Sequence, residues 1–201
     1  MTQTWITTTT GVVLAGGRAQ RMGGQDKGLL LLAGQPMVAH VIRLLRPQVG
    51  ELLINANRHA PAYRQLGCAV VSDANDHFLG PLAGMLAALR ATTNPYVLSA
   101  PCDSPLLPAD YARRMHAALQ QQHAELCVAH DGHRLQPVFA LLSQSLGDSL
   151  SAYLEAGERK IDRWFARHRM ATVDFADHPE MFRNINTPEE LAALEAELMG
   201  P

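Results

Sequence analysis

The sequence predicts an α/β protein with a mostly parallel central sheet. Two observations carry that expectation. Short apolar runs alternate with amphipathic stretches along the chain, the rhythm of strand, helix, strand, helix. The first run is continuously aliphatic and β-branched rather than alternating with polar residues, as in strands buried on both faces.

That first run, Thr10–Ala15 (TGVVLA), is the expected opening strand. Pro36 then begins a helix: Met37, Val38, Val41, Ile42, Leu44 and Leu45 recur at helical period and leave Arg43 and Arg46 outside. Glu51–Asn55 and Cys68–Asp73 read as the second and third strands. A helix starts at Pro81 (PLAGMLAALRAT), and a fourth strand (PYVLSAPCD) ends near Asp103. A further helix has Pro108 at its start, ELCVAH and QPVFALL supply two more strands, and PEELAALEAEL closes the chain as a helix. In open parallel sheets, ligands bind beyond the carboxyl ends of the strands. Those ends carry Gly16-Gly17, Asn55 with Asn57, Asp73 and Asp103, so donors, acceptors and carboxylates converge on one edge.

Composition removes several classes of function. The chain of 201 residues suits one domain, with residues 1–9 as a loose tail. Hydrophobic residues make up 47% and charged ones 18%, too apolar for a disordered chain. A net charge of −2 provides no general basic field, so neither nucleic acid nor a membrane surface is an expected partner. Aromatic residues are too few for a base-stacking platform. Cys68, Cys102 and Cys127 form no CxxC pair, and no signal peptide or membrane-length apolar run is visible. Core thiols in a soluble, cytoplasmic protein are expected. The HxxH spacing in His130–Arg134 has no Cys/His cluster beside it and reads as a surface turn rather than a zinc site.

The chemistry concentrates in residues 14–27, LAGGRAQRMGGQDK. The segment is not a Walker A loop, because Lys27 follows Asp26 and precedes Gly28, and the GxGxxG spacing also fails. The physics of phosphate loops is nevertheless available. Gly16 and Gly17 can bring backbone N–H groups close to an anion, Arg21 can fork two phosphate oxygens, and Lys27 supplies a compact cation. Placement directly after a buried strand favours a site over a turn with solvated cations.

This segment resembles the nucleotidyltransferase signature L-A-G-G-x-x-x-R-M-G-x-x-K, and in its full form the molybdenum cofactor guanylyltransferases. The resemblance continues through INANRH (54–59), GPLAGM (80–85), PCDSPLLP (101–108), AGERK (156–160) and NINTPEEL (184–191). It implies a Rossmann-like three-layer nucleotidyltransferase fold and transfer of GMP from GTP to the terminal phosphate of molybdopterin, with release of pyrophosphate and the help of Mg²⁺. Residue by residue, it implies that Leu14, Ala15 and Gly16 line the guanosine side, Lys27 binds the triphosphate, Asn55 and Asp73 hold the nucleoside and Asp103 binds the metal. Asn184 and Asn186 offer further oxygens, of which Asn186 is preferred as the metal-facing one. GTP and molybdopterin are the implied partners, with molybdenum-insertion and target molybdoenzyme proteins as further ones. Cytidine-using relatives typically carry alanine where this chain has Gly16, which suggests room for a purine. Arg58, His59, Arg159 and Lys160 are candidate acceptor contacts and equally a solvated surface. Cys102 is expected to be a packed thiol, since the chemistry needs no covalent step. Two alternatives stay open on the sequence: a related enzyme using CTP on molybdopterin, and a GTP-binding adaptor without catalysis.

Overall fold

In the computed structural model, which describes residues 4–16, 26–74 and 80–200, the chain forms a seven-stranded sheet covered by helices on both faces. In chain order the elements are α1 (Thr4–Thr7), β1 (Thr9–Leu14), the two-residue strands β2 (Leu31–Leu32) and β3 (Gln35–Pro36), α2 (Met37–Leu45), β4 (Glu51–Asn55), α3 (Ala60–Arg64) and β5 (Ala69–Val71). They continue as α4 (Pro81–Ala91), β6 (Tyr96–Pro101), α5 (Tyr111–Gln121), β7 (Leu126–His130) and β8 (Leu135–Ser143). The last are α6 (Gly147–Glu155), α7 (Ile161–Phe165), β9 (Met170–Asp174) and α8 (Pro188–Met199).

The strand order is β5-β4-β1-β6-β8-β7-β9. The pairs β5/β4, β4/β1, β1/β6 and β7/β9 are parallel, and β8 runs antiparallel to both of its neighbours. Period-two alternation divides the core. Val13, Ile54, Leu98, Cys127 and Leu141 face α2 and α5, whereas Val12, Leu53, Val97, Val128 and Ala140 face α4, α6 and α7. Both faces are therefore buried, which explains the continuous apolar run at Val12–Leu14. None of the described helices is long and apolar enough to cross a membrane.

Two expectations are corrected. The segment expected to trail loosely, residues 1–9, is part of the fold from Thr4 onward. Thr4–Thr7 makes a helical turn, Thr9 opens β1 with no exposed surface, and Trp5 packs its ring 5.7 Å from His116. The helix expected from Pro108 begins instead at Tyr111, with Asp110 at its cap. Pro108 closes the preceding turn by accepting the Tyr111 N–H at 3.3 Å.

The N-terminal attachment has a consequence for pH. Thr9 Oγ1 donates to the Trp5 carbonyl at 2.6 Å, so its only proton is spent, and the 2.7 Å contact with His116 Nε2 must be donated by the imidazole. His116 is neutral there, and burial lowers its pKa from 6.5 to about 4. Between those values the unfolded chain binds the extra proton and the folded one does not, so stability is complete above about pH 6.5 and falls toward pH 4. The loss amounts to up to about 3 kcal/mol. Denaturant unfolding at pH 7 and pH 4.5 should show a markedly smaller pH-dependent loss for His116→Gln than for the parent, and equal losses would contradict this assignment.

Candidate active site

The carboxyl ends of β1, β4, β5 and β6 meet where the sequence places its polar residues. The register pairs Leu14 with Asn55 on one side and with Pro101 on the other. Just past the strand ends, Ala15 N–H donates to the Asn55 carbonyl (2.8 Å) and Cys102 N–H to the Leu14 carbonyl (3.1 Å). Two clusters of side chains are thereby set on either side of β1, one past β6 and the other past β4 and β5.

The first cluster is built on Lys27, which opens a short 3₁₀ turn, Lys27–Leu29. Its Nζ lies 3.2 Å from Asp103 Oδ2 and 2.6 Å from Asn186 Oδ1. The Lys27 and Asp103 side chains keep 23% and 19% of their surface, so the pair is largely shielded from solvent yet open enough to be reached. Asn186 is brought in by backbone and cap together. Ile185 N–H donates to the Asp103 carbonyl (2.9 Å), and Ser104 Oγ donates to Asn184 Oδ1 (2.6 Å). Thr187 and Glu190 form a capping box at the start of α8, and Glu190 Oε2 also accepts the Asn186 N–H at 2.6 Å. Asn186 therefore points into the cluster, while Asn184 turns its oxygen to Ser104.

The second cluster is built on Asp73. Its two carboxylate oxygens accept the amides of Asn55 (2.9 Å) and Asn57 (2.7 Å), and its own N–H donates to Asn57 Oδ1 (2.9 Å). Asn55 is only 2% exposed and spends its amide nitrogen on Asp73 and the Val71 carbonyl, so Asp73, not Asn55, is what reaches the open edge. Two glycines make room for Asn55. A Cβ at Gly16 would stand 2.9 Å from Asn55 Oδ1, and one at Gly84 on α4 only 2.3 Å from it and 2.8 Å from Leu14 Cδ2. The bare Cα at Gly16 thus admits the Asn55–Asn57 pair before any question of purine fit arises.

Of the residues singled out from the sequence, Leu14, Ala15, Gly16, Lys27, Asn55, Asp73, Asp103 and Asn186 all lie along this edge. Gly17 and Arg21 lie outside the described residues. Cys102 is buried at 8% exposure, and desolvation, followed by the adjacent Asp103 charge, pushes its thiol well above the ordinary range. It is a packed thiol and an unsuitable nucleophile. Arg159 spends one guanidinium nitrogen on the Leu154 and Glu158 carbonyls, and His59 adopts a left-handed backbone at the start of α3. At His130–Arg134, Asp131 caps a turn by accepting the N–H groups of His133 and Arg134. Asn57, expected at this edge beside Asn55, holds Asp73, whereas Asp26 and Tyr63 were not assigned to the site from the sequence and are joined by a hydrogen bond from Tyr63 Oη to Asp26 Oδ1 (2.5 Å).

The donor set suits a hard cation. Asp103 and Asn186 offer oxygens that already converge on one cationic nitrogen, and no group of three His, Cys, Asp or Glu that could hold a metal ion occurs among the described residues. One carboxylate with phosphates and water completing the shell is how Mg²⁺ is usually held. Crowding at Asn55 gives a direct test. Gly84→Ala should cost about 1–3 kcal/mol in stability, because Asn55 must shift off Asp73. An alanine variant as stable as the parent in denaturant would contradict that packing.

Comparison with known proteins identifies the family. A family model described as a MobA-like NTP transferase domain matches residues 11–173. A molybdenum cofactor guanylyltransferase from Shewanella sp. (strain MR-4) is 54% identical over 93% of this chain and 95% of its own length. One of the same name from Shewanella sediminis is 54% identical over 89% and 91%. Among solved structures, molybdopterin-guanine dinucleotide biosynthesis protein A from Archaeoglobus fulgidus superposes with a TM-score of 0.78 at 22% identity, covering 94% of this chain and 98% of that one. The chain accordingly belongs to the MobA-like NTP transferase family, alongside relatives named molybdenum cofactor guanylyltransferases.

Proposed function

We propose that the chain transfers GMP from GTP to the terminal phosphate of molybdopterin and releases pyrophosphate. The observation that carries this reading is the meeting of Lys27, Asp103 and Asn186 at the strand ends, within a chain so close to named guanylyltransferases. An oxygen of the acceptor phosphate attacks the α-phosphorus of GTP. The new P–O bond forms as the bond from the α-phosphorus to the bridging oxygen breaks, and that oxygen leaves with pyrophosphate. No proton need be removed from an ionised acceptor phosphate, so the protein's work is positioning and charge neutralisation.

Each residue has a corresponding task. Lys27 exchanges its protein oxygens for those of the polyphosphate. Asp103, with Asn186 beside it, is the residue that would hold Mg²⁺, and that ion when bound would neutralise phosphate charge. Asp73, held by Asn55 and Asn57, takes the nucleoside, and the strand-end backbone at Leu14–Gly16 lines its other side. Arg21 keeps the role of a second phosphate cation. GTP and molybdopterin are the proposed substrates, and a cytoplasmic location with hand-over from molybdenum-insertion proteins to molybdoenzymes is the proposed setting.

Pyrophosphate release from purified protein and molybdopterin, measured with GTP, CTP or ATP and with or without Mg²⁺, tests this reading. Release is expected with GTP alone and only with Mg²⁺. Release with CTP but not GTP, or none with any nucleotide, would overturn it. In the same assay Asp103→Ala should fall roughly a thousandfold or more, Lys27→Ala should lose both turnover and GTP affinity, and Cys102→Ser should stay within about tenfold.

A further inference from the structure

Lys27 is held at two ends. At its tip, Nζ is shared by Asp103 and Asn186. At its root, Asp26 caps the turn that Lys27 opens, with Oδ1 accepting the Gly28 N–H at 3.2 Å. The same oxygen accepts the hydroxyl of Tyr63 at 2.5 Å. Tyr63 has no exposed surface, stands on α3 and is packed into the core on the α2 side of the sheet. The fit is close: a Cβ at position 28 would lie 2.6 Å from Tyr63 Oη, so glycine there lets the hydroxyl reach Asp26. Burial first, and then the bond to Asp26, raises the phenol far above its ordinary range, so Tyr63 remains a donor throughout the working pH range.

The two ends behave differently when a ligand arrives. A polyphosphate must take Nζ from its present partners, so the tip contacts are exchanged. Nothing in that exchange touches the root. We propose that Tyr63 is a positioning residue for nucleotidyl transfer, which through Asp26 fixes the turn that aims Lys27 at the polyphosphate. This rests on the reading of Lys27 as the polyphosphate cation. The pair acts by geometry, holding one backbone turn in place, and its effect should appear only in ligands that carry phosphates.

Equilibrium binding of GTP and of guanosine to the full chain, with thermal unfolding alongside, tests the proposal. Tyr63→Phe should weaken GTP about tenfold and leave guanosine within about twofold. Asp26→Ala should match it, and the double variant should be no worse than either single one, because the two residues act as one unit. Asp26→Asn retains an acceptor oxygen and should bind GTP within about threefold of the parent. Unchanged GTP affinity in Tyr63→Phe, or equal losses for GTP and guanosine with a lowered Tm, would overturn the proposal in favour of a structural tyrosine. Asp26→Asn as weak as Asp26→Ala would overturn it in favour of a charge effect. Lys27→Ala in the same titration separates the two claims. If it binds GTP normally, the reading of Lys27 fails. If it binds poorly while Tyr63→Phe does not, only the positioning role fails.

Discussion

The site depends on one ammonium group shared between two oxygens that are distant in sequence. Lys27 Nζ meets Asp103 and Asn186, respectively 76 and 159 residues further along the chain. Three parts of the fold must therefore be in register: the turn after the glycine-rich segment, the end of β6, and the strand-like stretch leading into α8. The Asp103 carbonyl holding Ile185 N–H and the Thr187–Glu190 capping box secure the last of these. The cation and the carboxylate satisfy each other in a partly shielded setting. In the proposed reaction a polyphosphate with a divalent cation would offer each a replacement of the same sign as its present partner, so binding would rearrange paired charges and strand none of them.

The Asp73 cluster follows a different rule, that of close packing. Asn55 is wedged between the Cα atoms of Gly16 and Gly84, which brings β4, the start of the loop and α4 together at one point. Its amide, with that of Asn57, then fixes both oxygens of Asp73. The glycines of LAGG and GPLAGM are thus linked through one buried asparagine. Since β1 lies between this cluster and the Lys27–Asp103 pair, the edge presents a carboxylate at one end and a charge pair at the other.

Much of this was legible in the sequence because it is local. The strand Glu51–Asn55 has the bounds that its apolar run predicts, and β1 differs from the expected Thr10–Ala15 by one residue at each end. The helix from Pro81 starts where proline favours a first turn. The closing helix likewise starts at Pro188, where the PEEL run predicts it. What escaped depends on contacts between distant segments. Tyr63 sits 37 residues from Asp26 with no pattern joining them. The short elements α7 and β9 span five residues each, too few for periodicity to register, and β9 gains its strand character from pairing with β7 at the sheet edge. The N-terminal threonines look like a tail until Trp5 and Thr9 meet His116, which comes from a helix more than a hundred residues later.

The most direct measurement of the central claim is a crystal structure of the protein with a non-hydrolysable GTP analogue and Mg²⁺. The account predicts Lys27 Nζ on phosphate oxygens, Asp103 on the cation and the base on the Asp73 side of β1. A bound nucleotide lying elsewhere, with the Lys27–Asp103 contact still in place, would contradict it.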